Sequence, residues 1–155
     1  MRLQISTGLA IFAVLELAAR EGRQLSVAEI GAKYGVSSHH LAKVMHVMGR
    51  AGLVRSVRGA GGGYQFAGNA RRTTVLDVVE LFQDLSSVEQ DTGAAAATPE
   101  GQALREILNE IEDIARATLG SITIATMRKL VDRHGNGRVL RPKAVTLRQR
   151  RQPRL

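Results

Sequence analysis

Apolar residues change their period several times along the chain, and each change marks an element. The run "LAIFAVLELAA" (9–19) is apolar almost all round. That pattern predicts a helix from about Ser6 to Arg20, buried on most sides, with Ser6 or Thr7 as its cap and Glu21-Gly22 as its end. "SVAE" (26–29) is a capping box, in which Ser26 and Glu29 satisfy each other's backbone amides, so "VAEIGAKY" reads as a short helix. Gly35 then supplies a left-handed stop. Ser37 or Ser38 caps a second helix, "HHLAKVMHVMGRA", whose Leu41, Val44, Met45 and Met48 recur at helical spacing. Two helices joined by so short a turn, the second with a polar N-terminal end, describe a helix-turn-helix.

After Gly52 the period falls to about two. "LVRSV" and "YQFAG" read as strands joined by "RGAGGG". A phosphate-binding P-loop needs strand, loop and helix with Gly-Lys-Ser/Thr, whereas here Tyr64 and Phe66 follow the glycines and no lysine does. The glycines are therefore read as the tip of a β-hairpin wing. "TTVLDVVELFQ" returns to helical spacing, with Thr74 as N-cap, Asp77 at the third helical position, and Val75, Leu76, Val79 and Phe82 facing a core. Residues 83–98 have small or polar side chains without period and read as a loop. Pro99 suits the first turn of a long helix. To Leu119 that helix carries one apolar stripe of Leu104, Ile107, Leu108, Ile111, Ile114 and Ala115, with Glu112 and Arg116 as an i,i+4 pair. The stripe must be covered, either by folding back on its own domain or by a second copy. Gly120 is expected to break the helix, and "TIATMRKLV" from Thr123 to close the fold as a short helix. From Arg133 the pattern dissolves.

Charge sharpens this division. Residues 1–76 carry ten Lys/Arg against three Asp/Glu, residues 77–132 four against eleven, and residues 133–155 eight against none. The basic N-terminal half, within a net charge of +8, is the footprint expected for a polyanion partner. The last segment is expected to be a disordered basic tail, either adding nonspecific attraction for DNA or simply solvated. The absence of cysteine removes disulfides, thiol catalysis and thiolate metal sites, and fits a cytoplasmic location. No apolar run is long enough for a membrane span, so no membrane partner is expected. No histidine sits in a base–nucleophile motif, so no catalytic residue is assigned. His39 and His46 lack an i,i+4 carboxylate partner, and no metal site is assigned either.

Three segments, "LSVAEIGAKYGVSSHHLAKV" (25–44), "RAGLVRSVRGAGGGYQF" (50–66) and "TTVLDVVE" (73–80), resemble the IscR/NsrR family of winged helix-turn-helix transcription regulators. The likeness runs from residue 1 to about 131. It implies a homodimer, a repressor, on an inverted-repeat operator in double-stranded DNA. Family members that carry an iron–sulfur cluster place three cysteines before the long helix. Here "EQDTGAAAATPEG" has none, and Gly8 stands where some members have a carboxylate ligand. A conventional cysteine-ligated cluster is excluded on ligand count, no cofactor is expected, and the effector is a small molecule or a partner protein.

The expected fold is mainly α. A winged helix-turn-helix with a two-stranded β wing occupies 1–82, and a loop 83–98. A long C-terminal dimerisation helix with a closing short helix occupies 99–132, and a basic tail 133–155. Helix 37–51 is expected in the major groove, where Ser37, Ser38, His39, His40 and Lys43 sit on its first turns. Residues 37–49 contain no Arg, Asn or Gln, so the strong bidentate base contacts are missing; Lys43 and Arg50 are assigned mainly to phosphates. The wing, 55–66, contributes Arg55, Arg58, Gly59, Gly62, Gly63 and Tyr64 to the minor groove or the backbone. The histidines can instead face solvent, and Arg71 and Arg72 can simply flank the next helix. The weak base-reading set leaves an alternative open, a winged-helix protein-interaction module that no longer reads DNA.

Overall fold

The computed structural model describes residues 2–85 and 94–135. The chain order is α1 (Ile5–Ala19), α2 (Val27–Tyr34), α3 (Ser38–Arg50), β1 (Val54–Val57), β2 (Gly63–Phe66), α4 (Val75–Glu80), α5 (Pro99–Ser121) and α6 (Ile124–Gly135). A 3₁₀ turn, Ala94–Ala97, precedes α5.

Helix α1 is the hub, as a helix apolar on nearly every side must be. It contributes Leu9, Ala10, Ile11, Ala13, Val14, Leu15, Leu17 and Ala18 to the core and packs against α3, α4, α6 and β2. Leu41, Val44, Met45 and Met48 of α3 meet it, with Val75, Val78 and Val79 of α4 and Ile124 of α6. The core is aliphatic because aromatic residues make up only 3% of the chain.

Neither Ser6 nor Thr7 caps α1. The helix begins at Ile5, two or three residues earlier than a cap at Ser6 or Thr7 requires, after Gln4 in extended conformation. A distant side chain serves that end instead: Gln83 Oε1 accepts from the Gln4 amide and from Thr7 Oγ1, each at 2.8 Å, and Thr7 is fully buried. The capping box at Ser26/Glu29 forms, as does a second at Thr74/Asp77.

The two strands pair antiparallel, Val54 with Phe66 and Val57 with Gly63. Leu25 adds a third rung, exchanging backbone bonds with Tyr64 at 3.0 and 2.8 Å. Helix α4 is shorter than its apolar pattern; Phe82 lies beyond it, half-buried against the core.

Helix α5 runs through Gly120 instead of breaking there. The glycine lies against α4, where a Cβ would come within 3.4 Å of Leu76 Cδ2. The chain is then stapled to the head by backbone bonds: Val75 N–H to Ile122 O (2.8 Å), Ile124 N–H to Thr73 O (2.9 Å) and Ala125 N–H to Ala70 O (2.8 Å). Ile124 is completely buried, so the closing helix is part of the head's core. Arg133 and His134 belong to the last turn of α6 and not to a tail. The rest of that segment, 136–155, and the loop residues 86–93 lie outside the described residues.

Candidate nucleic-acid interface

The turn between α2 and α3 depends on two glycines. Gly35 takes the left-handed conformation, φ 65°. Gly31 allows a close crossing, because a Cβ there would lie 2.6 Å from Val36 O, and Val36 N–H donates to Gly31 O at 2.9 Å. Ser37 Oγ then accepts from the His40 amide at 3.2 Å and starts α3. Gly31 is invisible to spacing rules, since only the fold brings residue 36 over it.

With Leu41, Val44, Met45 and Met48 buried, the opposite face of α3 is open. His39, Lys43, His46 and Arg50 are all exposed, at successive steps of four, three and four, which puts them on one side of the helix. Ser37 and Ser38 are exposed at its start. His46 thus joins the set expected from sequence. His40 does not share this face: it is half-buried, with Nε2 3.3 Å from Ser6 Oγ of α1.

The wing's glycines have distinct jobs. Gly59 and Gly61 adopt φ of 114° and 73°, which only glycine takes without strain. Gly62 and Gly63 serve close packing: a Cβ on either would sit 2.5 Å from a carbonyl oxygen, Val57 O and Leu25 O respectively. Gln24 Nε2 donates to Gly61 O at 3.0 Å and ties the tip to the extended segment around Leu25. Tyr64 is half-buried against the core. Arg55 lies across from Gln65 and donates to its Oε1 at 3.1 and 2.8 Å. Arg58 is exposed at the tip.

Charge compensation is uneven. Glu16 of α1 accepts from Lys33 and from Tyr34 Oη (2.8 Å), with Arg20 at 4.0 Å. Burial alone would raise its pKa, but hydrogen bonds from Lys33 and Tyr34 and the positive charges of Lys33 and Arg20 outweigh it and hold the carboxyl below its ordinary value. Burial, with Glu16 beside it, drives the Tyr34 phenol well above its usual value. By contrast, Lys43, Arg50, Arg58, Arg71 and Arg72 form no ion pair among the described residues. These five lie on α3, at the wing tip and just beyond the wing; Arg2, Arg23, Arg55, Arg105, Arg128, Lys129 and Arg133 likewise form no ion pair among the described residues. Such a surface suits phosphates, which fix position, with base edges read from the inserted helix.

Helix α5 buries none of its residues. Leu104, Ile107, Ile111 and Ile114 are 55–59% exposed, and Leu108 and Ala115 are half-buried.

A helix-turn-helix with a cationic outer face, followed at once by a glycine-tipped wing, places the molecule among the winged helix-turn-helix transcription regulators. More specifically, the chain belongs to the Rrf2 family, whose model, described as an iron-dependent transcriptional regulator, matches residues 3–129. It is 46% identical over 132 residues to BadM of Rhodopseudomonas palustris, which bears the name of an HTH-type transcriptional regulator; the match covers 85% of this chain and 84% of BadM. Among solved structures it resembles T. potens IscR, at 25% identity and TM-score 0.70 over 91% of this chain and 93% of that one. It also resembles CymR (YrzC), the global cysteine regulator of B. subtilis, at 25% identity and TM-score 0.72 over 84% and 98%. These relatives are regulators of transcription and not enzymes. The iron in the family description finds no donor set among the described residues. Cysteine is absent from the sequence, and among the described residues no three His, Asp or Glu side chains converge as metal ligands.

Proposed function

We propose that this Rrf2-family regulator works in the cytoplasm as a homodimeric repressor on an inverted-repeat operator. Each α3 enters a major groove, with Ser37, Ser38, His39, Lys43 and His46 toward bases or phosphates and Arg50 on the backbone. Each wing sets Arg58 in the neighbouring minor groove or on its phosphates. The α5 stripes of two copies cover each other and hold the heads at one separation, so the operator mirrors the two-fold symmetry. The effector is a small molecule or a partner protein, acting without a cysteine-ligated cluster or other resident cofactor.

The observation that carries this reading is the uncompensated cationic face of α3, set opposite its four buried apolar positions. Mobility shifts against fragments of genomic DNA, repeated over a series of salt concentrations, test it. A dimer engaging several phosphates weakens steeply as salt rises, with log affinity falling by roughly 0.9 per phosphate per log unit of salt. A chain indifferent to DNA in dilute buffer refutes the operator reading and turns the modest base-reading set of α3 into evidence for a protein-interaction module.

A further inference from the structure

We propose that Arg116 is the positioning residue that sets the angle between α5 and the reading head, and through it the half-site spacing the dimer accepts. The inference rests on the operator-binding dimer proposed above.

Beyond the turn Ala94–Ala97 that leads into it, helix α5 packs on α4, and two attachments define its direction. One is the backbone staple around Ile122. The other is Arg116, about 9 Å further up the helix at 1.5 Å per residue. Its guanidinium joins three carboxylates. Nε donates to Glu112 of the same helix at 3.0 Å; Nη1 donates to Glu80 at the end of α4, and Nη2 to Asp84 just beyond it at 3.3 Å. Glu112 holds the arginine's rotamer on α5, while Glu80 and Asp84 hold the head. A planar fork spreads five donors over three nitrogens and bridges three carboxylates in this way, whereas a lysine's three donors all radiate from one nitrogen.

Arg116 also neutralises what surrounds it. Without it, Glu112 of α5 and Glu80 of α4 lose the cation between them and meet as like charges, which pushes the two helices apart. The staple remains as a hinge. Leu104, the far end of the exposed stripe, lies about 27 Å from Ile122 along the helix. A tilt of about 10° moves that end by about 5 Å, more than the ~3.4 Å between successive base pairs. A small error at the clamp is thus larger than one step of the operator.

Because the chain has no cysteine, two introduced cysteines can be labelled without background. Spin labels at Ala32→Cys on α2 and Glu106→Cys on α5, both exposed positions, report the head–helix distance when labelled chains are diluted into unlabelled ones. Arg116→Met is expected to broaden that distance distribution at least twofold, and Arg116→Lys to fall between it and wild type. In parallel, wild type and variants select from a randomised duplex library. Wild type is expected to enrich paired half-sites at one spacing by tenfold or more over one base pair longer or shorter. Arg116→Met is expected to flatten that preference below threefold, with the half-site sequence and the affinity for an isolated half-site unchanged. A merely structural arginine would lower both together. If Arg116→Met does not fold, Arg116→Lys decides, and a wild-type spacing profile in that variant overturns the proposal. An unchanged distance distribution or spacing profile in Arg116→Met overturns it directly. A wild-type chain that enriches no paired half-sites ends the operator reading and the spacing role together, and the distance distribution then judges the clamp by itself.

Discussion

Ile111→Glu is expected to split the dimer without harming the protomer. Ile111 is 57% exposed in the single chain. Fully burying an isoleucine side chain contributes about 1.5–3 kcal/mol, so the part still to be covered amounts to about 1–1.5 kcal/mol. A symmetric interface contains the residue twice, which raises the loss to about 2–3 kcal/mol. At 1.4 kcal/mol per factor of ten, the dimer weakens about 30- to 150-fold, before two carboxylates facing a dry apolar seam are counted. The protomer should not notice, because no residue of α5 is buried in its own head. Sedimentation over a range of protein concentrations reads the dimer constant, and circular dichroism reads the fold. Binding to a full operator should weaken in step with the dimer, while binding to an isolated half-site stays as in wild type. An Ile111→Glu chain that remains dimeric at wild-type concentrations refutes the assignment of this face. A collapsed helical signal at low temperature would mean that the stripe belongs to the protomer's own fold.

Three further outcomes are expected. Lys43→Ala removes one phosphate contact per protomer, so the salt dependence of operator affinity should fall by about 2 for the dimer, across all sequences alike; an unchanged slope takes Lys43 off the backbone. Gly63→Ala drives a Cβ against the Leu25 backbone, a neighbour that cannot rotate away, and should cost about 1–3 kcal/mol in thermal or urea unfolding; a wild-type midpoint would show that the wing has room. Glu16 is held below its ordinary pKa of 4.5, so its pairing stabilises the fold above that pH, and the contribution is lost as pH falls through the folded-state value. Glu16→Gln should therefore lower the melting temperature more at pH 7 than at pH 3. An equal loss at both pH values would assign the effect to packing.

Local chemistry was legible in the chain. Both capping boxes, the Gly35 stop, the four buried positions of α3 and the α5 stripe each rest on residues within a turn or two of one another. A hydroxyl three residues before a carboxylate, or an apolar residue every third or fourth place, carries its own geometry. The wing was legible for a related reason: clustered glycines between two runs of period two have few other uses.

Tertiary structure decided what depends on separation. Gln83 serves the start of α1 from 76 residues beyond Thr7, and Arg116 reaches Glu80 across 36. Sequence showed only Glu112 among that arginine's three partners. Gly31, Gly62 and Gly63 look interchangeable with other glycines until the backbones of Val36, Val57 and Leu25 arrive above them. His40 sits in the same polar run as His39, yet the packing of α1 turns it toward Ser6 while its neighbour stays open. Periodicity assigns a residue to a face of its own helix; only the assembled core determines which faces meet, and excluded volume between distant segments then dictates what each position can hold.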